Sequence, residues 1–554
     1  MLQGLMQDDF ELTIDAIRRR LDGCYGDAEV ITLREDGPDH SSYREVAGRV
    51  HRLAHALDRL GVSAGDRVGT FAWNDQRHLE LYFAAPCMGA VLHTVNVRLF
   101  PEQIAYVIDH AGDEVVFVDA ALVSLLAPLV ESCPRVRHWV VMCDGPLPAD
   151  AASLPGALSY EELLAAAGED QFDFPELDER QAAALCYTSG TTGDPKGVLY
   201  SHRAIALHST AMCMADSLGL SADDRLLAIV PMFHVNAWGL PYSAALTGAT
   251  LLMPGPHLQG EPLARLIETE RATLLAGVPT VLSGLLEQVD RHGGDLSSLR
   301  GGICGGAAVS RALMEGFERH GIRILQAWGM TETAPLLTVA RPAPDREHGG
   351  EAEWADRLSA GRLSPWVEAR VVSDAGIEPA DGEAVGEIEV RGPWVASSYY
   401  RLADGGEKFT ADGWLRTGDI GTVDRRGFVC LTDRAKDLIK SGGEWISSVE
   451  LETELLSHPC VREAAVIAIP DERWSERPLA CVVFADGEAT EPEALRGHLA
   501  SSFARWQLPD AFAFVGEIPK TSVGKLDKKE LRRRFADGEL TIERIGEREV
   551  ECAS

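Results

Sequence analysis

The fold is indicated most clearly by residues 187–197, which have the sequence Tyr187-Thr-Ser-Gly-Thr-Thr-Gly-Asp-Pro-Lys-Gly197. Glycines accept unusual φ angles, so their backbone N–H groups can turn together toward an anion. Small hydroxyl side chains add further donors, and a lysine adds a positive charge. This composition predicts a loop that wraps a polyphosphate, with contacts expected from Thr188, Ser189, Gly190, Thr191, Thr192, Gly193 and Lys196.

The residues before this loop favour an α/β fold. Residues 182–186 are an apolar run of the length of a buried strand. A strand that leads into a glycine-rich loop is a common phosphate site in α/β proteins. The loop differs from a Walker A sequence because Pro195, and not a glycine, precedes Lys196. The alternative interpretation is an ordinary Ser/Thr/Gly surface loop.

Strand and helix patterns alternate from about residue 65 onward, which is typical of βαβ units with covering helices. The predicted strands are 67–73, 91–97, 114–118, 138–142, 225–231, 250–253, 273–278 and 323–328, and the predicted helices include 76–89 and 101–110.

The pattern changes near residue 365, where short strands separated by Asp/Gly turns predict antiparallel pairing at 368–372, 386–391 and 428–431. A charged connector follows at residues 433–437, and the rest of the chain is long enough for a small α+β domain. There we expect helices at 448–457 and 492–503, and strands at 461–469 and 479–484. The domains are therefore predicted as 1–432, a connector at 433–437, and 438–554.

The bulk composition excludes several classes of protein. The chain has 554 residues and a formal net charge of −33, which argues against nucleic acid or anionic lipid as a partner. Its 11 cysteines lack CxxC spacing, as expected for free thiols in the cytoplasm. The N-terminus has no signal-peptide pattern, and the apolar run 115–130 is too short to span a bilayer.

Two further segments have the composition of a nucleotide site. Arg300-Gly-Gly-Ile-Cys-Gly-Gly-Ala-Ala308 has little side-chain bulk, so a flat ligand could lie against its backbone; close packing of a strand on a helix is the alternative. Gln326-Ala-Trp-Gly-Met-Thr-Glu-Thr333 offers an aromatic face, a hydroxyl for phosphate and a carboxylate for Mg²⁺; a buried structural tryptophan is the alternative.

Two segments nearer the C-terminus complete the pattern. Asp412-Gly-Trp-Leu-Arg-Thr-Gly-Asp419 ends on a carboxylate that suits the two hydroxyls of a ribose, although a charged turn also fits its beginning. Pro519-Lys-Thr-Ser-Val-Gly-Lys-Leu526 places Lys525 in a flexible turn, where it acts either as an electrostatic clamp or as a solvated charge.

Taken together, in this order and spacing, these segments resemble the adenylate-forming enzymes, and within them the fatty acyl-CoA synthetase branch. The resemblance extends from about residue 30 to residue 535. Two more segments carry it. Val230-Pro-Met-Phe-His-Val-Asn-Ala-Trp-Gly-Leu-Pro241 is similar to the acyl-tunnel strand of that branch, and Asp437-Leu-Ile-Lys-Ser-Gly-Gly-Glu-Trp-Ile-Ser447 is similar to the segment after its hinge.

The resemblance implies a fold and a reaction. The implied fold is α/β: a large N-terminal domain of stacked βαβ sheets with a β-barrel-like part, and a small mobile α+β C-terminal domain. A carboxylate would attack the α-phosphate of ATP to give acyl-AMP and pyrophosphate, and the thiol of CoA would then displace AMP. No protein nucleophile is needed, since catalysis would consist of positioning and charge stabilisation.

The resemblance also implies a role for each matched residue. Nucleotide contacts are implied for Gly305, Gly306, Ala307, Trp328, Gly329, Thr331, Asp419 and Arg434. Glu332 and Thr188 would hold Mg²⁺, and Lys525 would bridge the carboxylate and the α-phosphate. His234, Val235 and Trp238 would line the acyl tunnel, with core packing as the alternative for Trp238 and a satisfied core histidine for His234.

The same resemblance implies that the small domain rotates between the two half-reactions. Lys436 matches the hinge residue, with a surface charge as its alternative, and rotation would bring Lys440 and Gly443 to the site for thioester formation. Two departures from the family pattern stand out: Trp328 replaces a common Tyr, and Asp194 adds a negative charge to the phosphate loop. No insertion of the kind that marks fatty acyl-AMP ligases precedes the hinge, which favours CoA as the acceptor.

We therefore predict an ATP- and Mg²⁺-dependent ligase that joins a medium- or long-chain fatty acid to CoA. The alternatives are the same chemistry on a short or functionalised carboxylate, such as a sulfur-containing propionate, a luciferase-type monooxygenase, and a catalytically silent adenylate-binding protein. We expect a cytoplasmic enzyme with small-molecule partners, no nucleic acid and no stable membrane insertion. The resemblance implies that a homodimer through the N-terminal domain is possible. The sequence alone does not determine the oligomeric state or the identity of the acid.

Overall fold

Apolar strands that alternate with amphipathic helices form most of this computed structural model, in which the chain divides into two units. The larger unit consists of Met1–Val309, Leu313–Glu368 and Val390–Leu415, and the smaller one of Ser310–Ala312, Ala369–Glu389 and Arg416–Ser554. The structure describes residues 5–7, 9–168, 170–188, 194–402, 408–434, 437–441, 444–471, 473–485, 487–520 and 526–545.

The part of the chain up to residue 363 contains the first strands of the structure. In chain order they are β1 (Glu29–Arg34), β2 (Gly37–Ser42), β3 (Arg67–Phe71), β4 (Val91–Thr94), β5 (Asp113–Asp119), β6 (His138–Met142), β7 (Leu158–Ser159), β8 (Ala182–Tyr187), β9 (Gly197–Ser201), β10 (Arg225–Ala228), β11 (Thr250–Met253), β12 (Leu274–Gly277), β13 (Gly301–Gly305), β14 (Ile324–Gly329), β15 (Leu336–Val339) and β16 (Gly361–Leu363).

The helices of the same part of the chain separate most of these strands. They are α1 (Ile14–Asp22), α2 (Tyr43–Arg59), α3 (Gln76–Cys87), α4 (Pro101–Ala111), α5 (Val123–Leu126), α6 (Tyr160–Ala166), α7 (His202–Cys213), α8 (Leu240–Thr247), α9 (Gly260–Glu270), α10 (Pro279–His292), α11 (Arg311–Arg319) and α12 (Glu351–Leu358). Short 3₁₀ helices lie at Ala120–Leu122, Ala127–Ser132, Ala149–Ser153, Val235–Gly239 and Thr331–Thr333.

Two sheets form the larger unit. One has the strand order β7-β6-β5-β3-β4-β8-β9 and is parallel except for the antiparallel pair β8–β9. The other runs β16-β15-β14-β13-β12-β10-β11-β1-β2, with parallel pairing from β14 to β1. Parallel sheets need cover on both faces, so the central strands, such as β4, β11 and β12, are fully or almost fully buried.

Local sequence explains where several helices begin and end. The Ser42 hydroxyl accepts a hydrogen bond from the Glu45 backbone N–H, and the Glu45 carboxylate accepts one from the Ser42 N–H; this capping box starts α2. The Asp75 carboxylate caps α3 by accepting from the N–H of His78. Helix α4 ends at Gly112, whose φ of 76° is the left-handed conformation that glycine adopts without a steric penalty.

Each sheet of the larger unit packs against helices through its own apolar core. One core joins β10–β14 to helices α9–α12 and includes fully buried Leu227, Leu275, Leu282 and Phe317. The other joins β3–β6 and β8 to α4 and α5 and includes Phe71, Val107, Val116 and Trp139. The predicted α/β class is confirmed, as is the alternation of strand and helix from residue 67 onward.

The smaller unit has a more antiparallel texture, as predicted. Its strands are β17 (Glu368–Ser373), β18 (Gly376–Glu378), β19 (Gly386–Arg391), β20 (Leu415–Val423), β21 (Phe428–Arg434), β22 (Ile439–Ser441), β23 (Glu444–Ile446), β24 (Val461–Asp471), β25 (Ser475–Phe484), β26 (Ala511–Phe514) and β27 (Glu543–Arg544). Its helices are α13 (Ser448–Ser457), α14 (Pro492–Leu499) and α15 (Lys528–Ala536).

Antiparallel hairpins dominate this unit. Strands β17–β18, β20–β21, β22–β23 and β24–β25 pair antiparallel, and β25–β26 pair parallel. Helices α13 and α14 pack on one face of the β24–β26 sheet through Leu451, Leu455, Leu495 and Leu499. Across the described residues, no helix has the length and apolar character required to cross a membrane.

Candidate active site

The predicted phosphate loop begins where β8 ends and finishes where β9 starts. The two ends are joined: the N–H of Thr188 donates to the carbonyl of Lys196 at 3.0 Å, and the N–H of Lys196 donates to the Thr188 hydroxyl at 3.1 Å. This pairing continues the antiparallel ladder of β8 and β9, where Tyr187 lies opposite Gly197. Ser189, Gly190, Thr191, Thr192 and Gly193 lie outside the described residues.

Tyr187 anchors the strand end directly below this loop. Its hydroxyl is hydrogen bonded to Nδ1 of His110 on α4 at 2.8 Å, and its ring packs against the buried His93. Burial is the main cause that lowers the pKa of His110, and the neighbouring Arg401 adds to it, so the ring is neutral at neutral pH. The loop therefore starts from a residue held on two sides by histidines.

Lys196 and Glu332 approach the same aromatic side chain. The Lys196 ammonium lies 5.0 Å from the ring centroid of Tyr399, and the Tyr399 hydroxyl donates to Oε1 of Glu332 at 2.6 Å. Glu332 is 7% exposed, so its carboxylate has lost most of its water and depends on such donors. The structure thus brings the phosphate-loop lysine and the predicted magnesium carboxylate to one tyrosine.

The backbone around Glu332 is fixed by two further contacts. The Tyr200 hydroxyl donates to the carbonyl of Thr331 at 2.6 Å, and the N–H of Ala396 donates to the carbonyl of Glu332 at 2.7 Å. Tyr200 is on β9, the strand that follows the phosphate loop. Strand β9 and the Thr331–Thr333 helical turn are therefore linked by a buried hydrogen bond.

Strands β13 and β14 carry the predicted adenine-binding residues side by side. Gly305 and Ala327 are partners in the parallel register, and Trp328 and Gly329 follow at the end of β14. Gly306 and Ala307 are exposed beyond the end of β13. A Cβ atom on Gly329 would lie 1.7 Å from the Pro335 carbonyl oxygen, so only glycine fits there.

The expected acyl-tunnel strand at 230–241 is wrong. Strand β10 ends at Ala228, and the segment forms a 3₁₀ turn at Val235–Gly239 and the start of α8. Val235, Asn236, Ala237 and Trp238 all have φ between 47° and 55°. Left-handed backbone is costly for residues with a Cβ atom, and neither the residue types nor the family resemblance that implies a strand here predicts it.

A buried polar cluster lies under this left-handed turn. The Oδ1 atom of Asn236 accepts from the Cys186 thiol at 3.2 Å and from the Thr94 hydroxyl at 3.4 Å. Asparagine tolerates left-handed backbone better than most residues. The turn places Trp238 against Gly305, where a Cβ atom would lie 3.1 Å from the indole ring. His234 is half-buried at the start of the turn.

The smaller unit holds the remaining predicted residues. Asp419 on β20 is 4% exposed and lies directly opposite Arg434 of β21 in the antiparallel register. Lys440 is exposed on β22, and its N–H donates to Oε2 of Glu476 at 2.7 Å. Lys436, Gly443 and Lys525 lie outside the described residues.

Comparison with known proteins identifies the family of this chain. A model of the AMP-binding enzyme matches residues 20–400, and a model of the AMP-binding enzyme C-terminal domain matches residues 450–525. The chain belongs to the AMP-binding enzyme family.

Similar proteins narrow the activity of this AMP-binding enzyme. It is 45% identical to a long-chain-fatty-acid–CoA ligase of Thermus thermophilus, over 95% of this chain and 96% of that protein. It is 44% identical to a 3-methylmercaptopropionyl-CoA ligase of Ruegeria lacuscaerulensis, over 93% and 95%. The predicted CoA ligase chemistry is confirmed, with ATP and CoA as substrates.

A solved structure agrees with the fold of this AMP-binding enzyme. The anthranilate CoA ligase AuaEII in complex with anthranoyl-AMP superposes with a TM-score of 0.86, at 26% identity, over 97% of this chain and 100% of that one. The bound molecule in that protein is an acyl-adenylate, the intermediate that the sequence of this AMP-binding enzyme implies.

Several residues of the site escape the sequence motifs. Tyr399 and Tyr200 contact Glu332 and Thr331 from distant parts of the chain. His110 supports the phosphate loop from α4. Asn236 stands in a quoted segment, but its role depends on its left-handed backbone. In the sequence, Tyr399 and Tyr400 are adjacent and shortly precede the Asp412–Asp419 segment. Two adjacent tyrosines have no spacing that marks them as part of a site.

Proposed function

We propose that this CoA ligase activates a medium- or long-chain fatty acid to acyl-AMP and then transfers the acyl group to CoA. The CoA ligase chemistry is established by similarity, and the preference for a medium- or long-chain fatty acid is the proposal. The observation that carries it is the 45% identity, over nearly the whole length, to a relative whose name specifies long-chain fatty acids.

Phosphate binding is proposed for the loop that follows β8. Thr188 and Lys196 would contact the β- and γ-phosphates together with Ser189, Gly190, Thr191, Thr192 and Gly193. Support comes from the paired ends of this loop, because the hydrogen bonds between Thr188 and Lys196 hold its two ends together at the end of a strand. The exposed Lys196 ammonium is free of carboxylate partners among the described residues, so it can meet a phosphate.

Magnesium is proposed at Glu332, with Thr188 contributing its hydroxyl. The donor set fits this ion, because Mg²⁺ binds through one or two carboxylates together with substrate phosphates rather than through an all-protein cage. When bound, the ion would neutralise phosphate charge, while Tyr399 orients the carboxylate.

Recognition of the nucleoside is proposed for residues of several strands. Thr331 would contact the α-phosphate, Trp328 and Gly329 would lie against the adenine with Gly305, Gly306 and Ala307, and Asp419 with Arg434 would hold the ribose. Support comes from the backbone register, in which Asp419 of β20 is the partner of Arg434 of β21.

The two half-reactions are proposed to use different lysines. Lys525 would sit between the attacking carboxylate and the α-phosphate, where its charge reduces the repulsion of two anions. Lys440 and Gly443 would serve thioester formation with CoA, after rotation about Lys436. The corresponding domain boundaries, 1–432, 433–437 and 438–554, remain predictions.

Acid binding is proposed at His234, Val235 and Trp238. The buried left-handed turn directs the Trp238 ring at the Gly305 backbone, so an acyl chain would need this ring to move or to line its path. The alternative acid is short and functionalised, and the 44% identical relative named for 3-methylmercaptopropionate favours it. The fatty acid is preferred because a second relative, 43% identical over 97% of this chain, is named for medium-chain fatty acids.

A panel of acids decides between these substrates. The purified protein is incubated with Mg²⁺, ATP and CoA, and AMP release is followed for saturated acids from three to eighteen carbons and for 3-methylmercaptopropionate. A maximum of kcat/KM at eight carbons or more supports the proposal. A maximum at the sulfur-containing acid supports the alternative, and turnover that needs oxygen but not CoA would indicate a luciferase-type reaction.

The cellular context is also proposed rather than shown. We propose a cytoplasmic enzyme that works without nucleic acid and without stable membrane insertion, and that forms a homodimer through its N-terminal domain. Light scattering coupled to size-exclusion chromatography measures the mass directly. A mass near the 60.0 kDa of one chain would contradict the dimer.

A further inference from the structure

A polar cleft of the larger unit lies outside all the segments proposed for the nucleotide and the acid. It has a volume of about 400 Å³. Four arginines line it: Arg34 of β1, Arg49 and Arg52 of α2, and Arg77 of α3. Like charges repel one another, so four guanidinium groups in one cleft need counter-charges, which come either from the protein or from a ligand.

Two of these arginines have their counter-charges within the protein. Arg49 donates to both carboxylate oxygens of Glu161 at 2.9 Å and to Oε1 of the buried Glu80 at 2.6 Å. Arg77 donates to Glu161 at 2.7 Å and also to Asp144. The donors of Arg49 and Arg77 are therefore largely used, and these two side chains form a wall of the cleft.

Arg52 and Arg34 keep donors that the protein does not use. Arg52 is half-buried and forms no hydrogen bond or ion pair with the residues that the structure describes. Arg34 lies 3.4 Å from an oxygen of Asp39 and 3.4 Å from an oxygen of Asp75, and both distances are longer than the roughly 2.7–2.9 Å of a strong charge-assisted hydrogen bond. A cation that is partly withdrawn from water without a partner is unfavourable, so an external anion would stabilise both side chains.

The carboxylates on the same lining do not replace that anion. They are Asp39, Glu45, Asp144 and Glu161. Glu161 and Asp144 bind the other two arginines, and Glu45 accepts from the N–H and the hydroxyl of Ser42 at 2.7 and 2.8 Å. The Asp39 side chain is 53% exposed, so it can turn into water when a ligand takes its place beside Arg34.

Gly48 leaves room for a ligand on the α2 side of the cleft. Glu45, Gly48 and Arg52 follow one another at helical spacing, so they share one face of this 17-residue helix. Glycine in a helix interior is unfavourable relative to alanine. A Cβ atom on Gly48 would meet no atom within 4 Å outside its own part of the helix, so close packing does not require glycine here. The missing side chain instead deepens the cleft next to Arg52.

We propose that this cleft is a binding site for a small dianion held between Arg34 and Arg52. The ligand is of the phosphate monoester or short dicarboxylate class, because two guanidinium groups with free donors supply two positive charges and suit such oxygens geometrically. It would connect β1 to α2. The ligand is not a substrate of the ligase reaction, and the site does not depend on which acid the enzyme activates.

Isothermal titration calorimetry of the full-length protein tests the site with inorganic phosphate and with succinate, at constant ionic strength. Each titration is repeated with saturating Mg²⁺ and α,β-methylene-ATP, which block any binding at the proposed phosphate loop. We expect one molecule of the better probe per chain in both series. A lower Kd for phosphate would identify a phosphate monoester as the ligand class, and a lower Kd for succinate a dicarboxylate. Acetate has a single charge and is expected to bind at least about tenfold more weakly.

Gly48→Leu and Arg52→Met locate the binding. Leucine favours a helix more than glycine does, so Gly48→Leu is expected to fold, and its side chain is expected to fill the cleft and abolish saturable binding. Arg52→Met removes one guanidinium group and is expected to raise Kd about tenfold to a hundredfold, as does the loss of a hydrogen bond to a charged group. Melting temperatures show whether both variants are folded.

Each variant has a matched control. Gly497→Leu makes the same change in α14, where a Cβ atom also meets no atom within 4 Å outside its own part of the helix. Arg44→Met removes an exposed arginine of α2 that does not line the cleft. Both controls are expected to bind the probes as the wild type does. The inference is overturned if neither probe binds saturably, if acetate binds as tightly as the dianions, or if Gly48→Leu and Arg52→Met keep the wild-type affinity. AMP release over the acid panel tests the ligase reaction independently of these titrations.

Discussion

The Tyr399 hydroxyl donates a 2.6 Å hydrogen bond to Oε1 of Glu332, and both side chains are buried. Tyr399 also lies beneath the Lys196 ammonium, with 5.0 Å between the nitrogen and the ring centroid. One tyrosine therefore sets the position of the carboxylate proposed for Mg²⁺ and borders the lysine proposed for the terminal phosphates.

Tyr399→Phe removes this hydrogen bond and leaves the ring. A hydrogen bond to a charged group contributes about 1.5–3 kcal/mol, so kcat/KM for MgATP in adenylation is expected to fall by about tenfold to a hundredfold. Part of the loss should be recovered at high Mg²⁺, because a less ordered carboxylate binds the ion more weakly. Pyrophosphate release, titrated with Mg²⁺, measures both effects.

Tyr400→Phe is the matched control for that variant, since the Tyr400 hydroxyl donates to the Ala111 carbonyl and not to Glu332. Melting temperatures of the two variants show whether either is merely destabilised. An equal loss of activity in both variants, or a loss that Mg²⁺ does not alter, would mean that Tyr399 does not orient the metal carboxylate.

Tyr187→Phe tests the support beneath the phosphate loop. The variant loses the 2.8 Å hydrogen bond to Nδ1 of His110 while keeping the ring in the core. A neutral hydrogen bond contributes about 1 kcal/mol, so KM for ATP is expected to rise about threefold to tenfold with kcat nearly unchanged. Tyr106→Phe is the control, because the Tyr106 ring stacks on His110 and no hydrogen bond of its hydroxyl is seen in the described part of the chain. A fall in kcat alone would exclude a role in ATP binding.

The sequence predicts regular elements well and tertiary relationships poorly. Residues 448–457 are predicted as a helix and form α13 with the same bounds, because amphipathic spacing and a capping serine act within a few residues. The contact of Tyr399 with Glu332 joins residues 67 positions apart, and no local pattern encodes it. The predicted phosphate loop combines both situations. Its residue types are visible in one short segment, whereas the hydrogen bond between Tyr187 and His110 joins distant parts of the chain.

The error at residues 230–241 has a physical cause. Hydrophobic runs indicate burial, and all the residues from Val235 to Gly239 are indeed buried. Burial alone does not decide between a strand and a turn. Left-handed φ angles at Val235 and Ala237 are unfavourable for residues with a Cβ atom. Within the turn, Asn236 accepts hydrogen bonds from Cys186 and Thr94, which the apolar pattern does not reveal.

Lys525→Ala and Lys440→Ala separate the two half-reactions. Loss of the Lys525 charge is expected to reduce pyrophosphate release by a factor of about a thousand or more, as for other groups that stabilise developing charge, and to spare thioester formation from supplied acyl-AMP. Lys440→Ala is expected to do the reverse. Each variant is the control for the other, and the same half-reaction lost in both would contradict separate roles.

Trp238→Ala tests the proposed acyl site. Removal of the indole ring opens space against the Gly305 backbone, so the acid that gives the highest kcat/KM is expected to change while KM for ATP does not. The measurement is AMP release over the acid panel. Trp366→Ala is the control, because Trp366 is 75% exposed. An unchanged acid profile would make Trp238 a packing residue.

Three buried histidines are held neutral in the larger unit. Burial lowers the pKa of His208 to about 3 and the pKa values of His78 and His202 to about 4. In the unfolded chain a histidine titrates near pH 6.5 (roughly its unperturbed value). Between that pH and about 4 the unfolded state therefore binds more protons than the folded state does.

The free energy of unfolding is therefore expected to fall as the pH drops from about 6.5 to about 4. Over this range the histidines bind protons in the unfolded state but stay neutral in the folded state. Each histidine adds about 1.4 kcal/mol per pH unit to the slope of the unfolding free energy. His208→Gln is expected to reduce this slope by one such contribution, since the effects of all other titrating groups cancel in the difference. Urea unfolding at several pH values measures it, with exposed His292→Gln as the control. Equal slopes in the two variants would show that His208 is protonated in the folded protein.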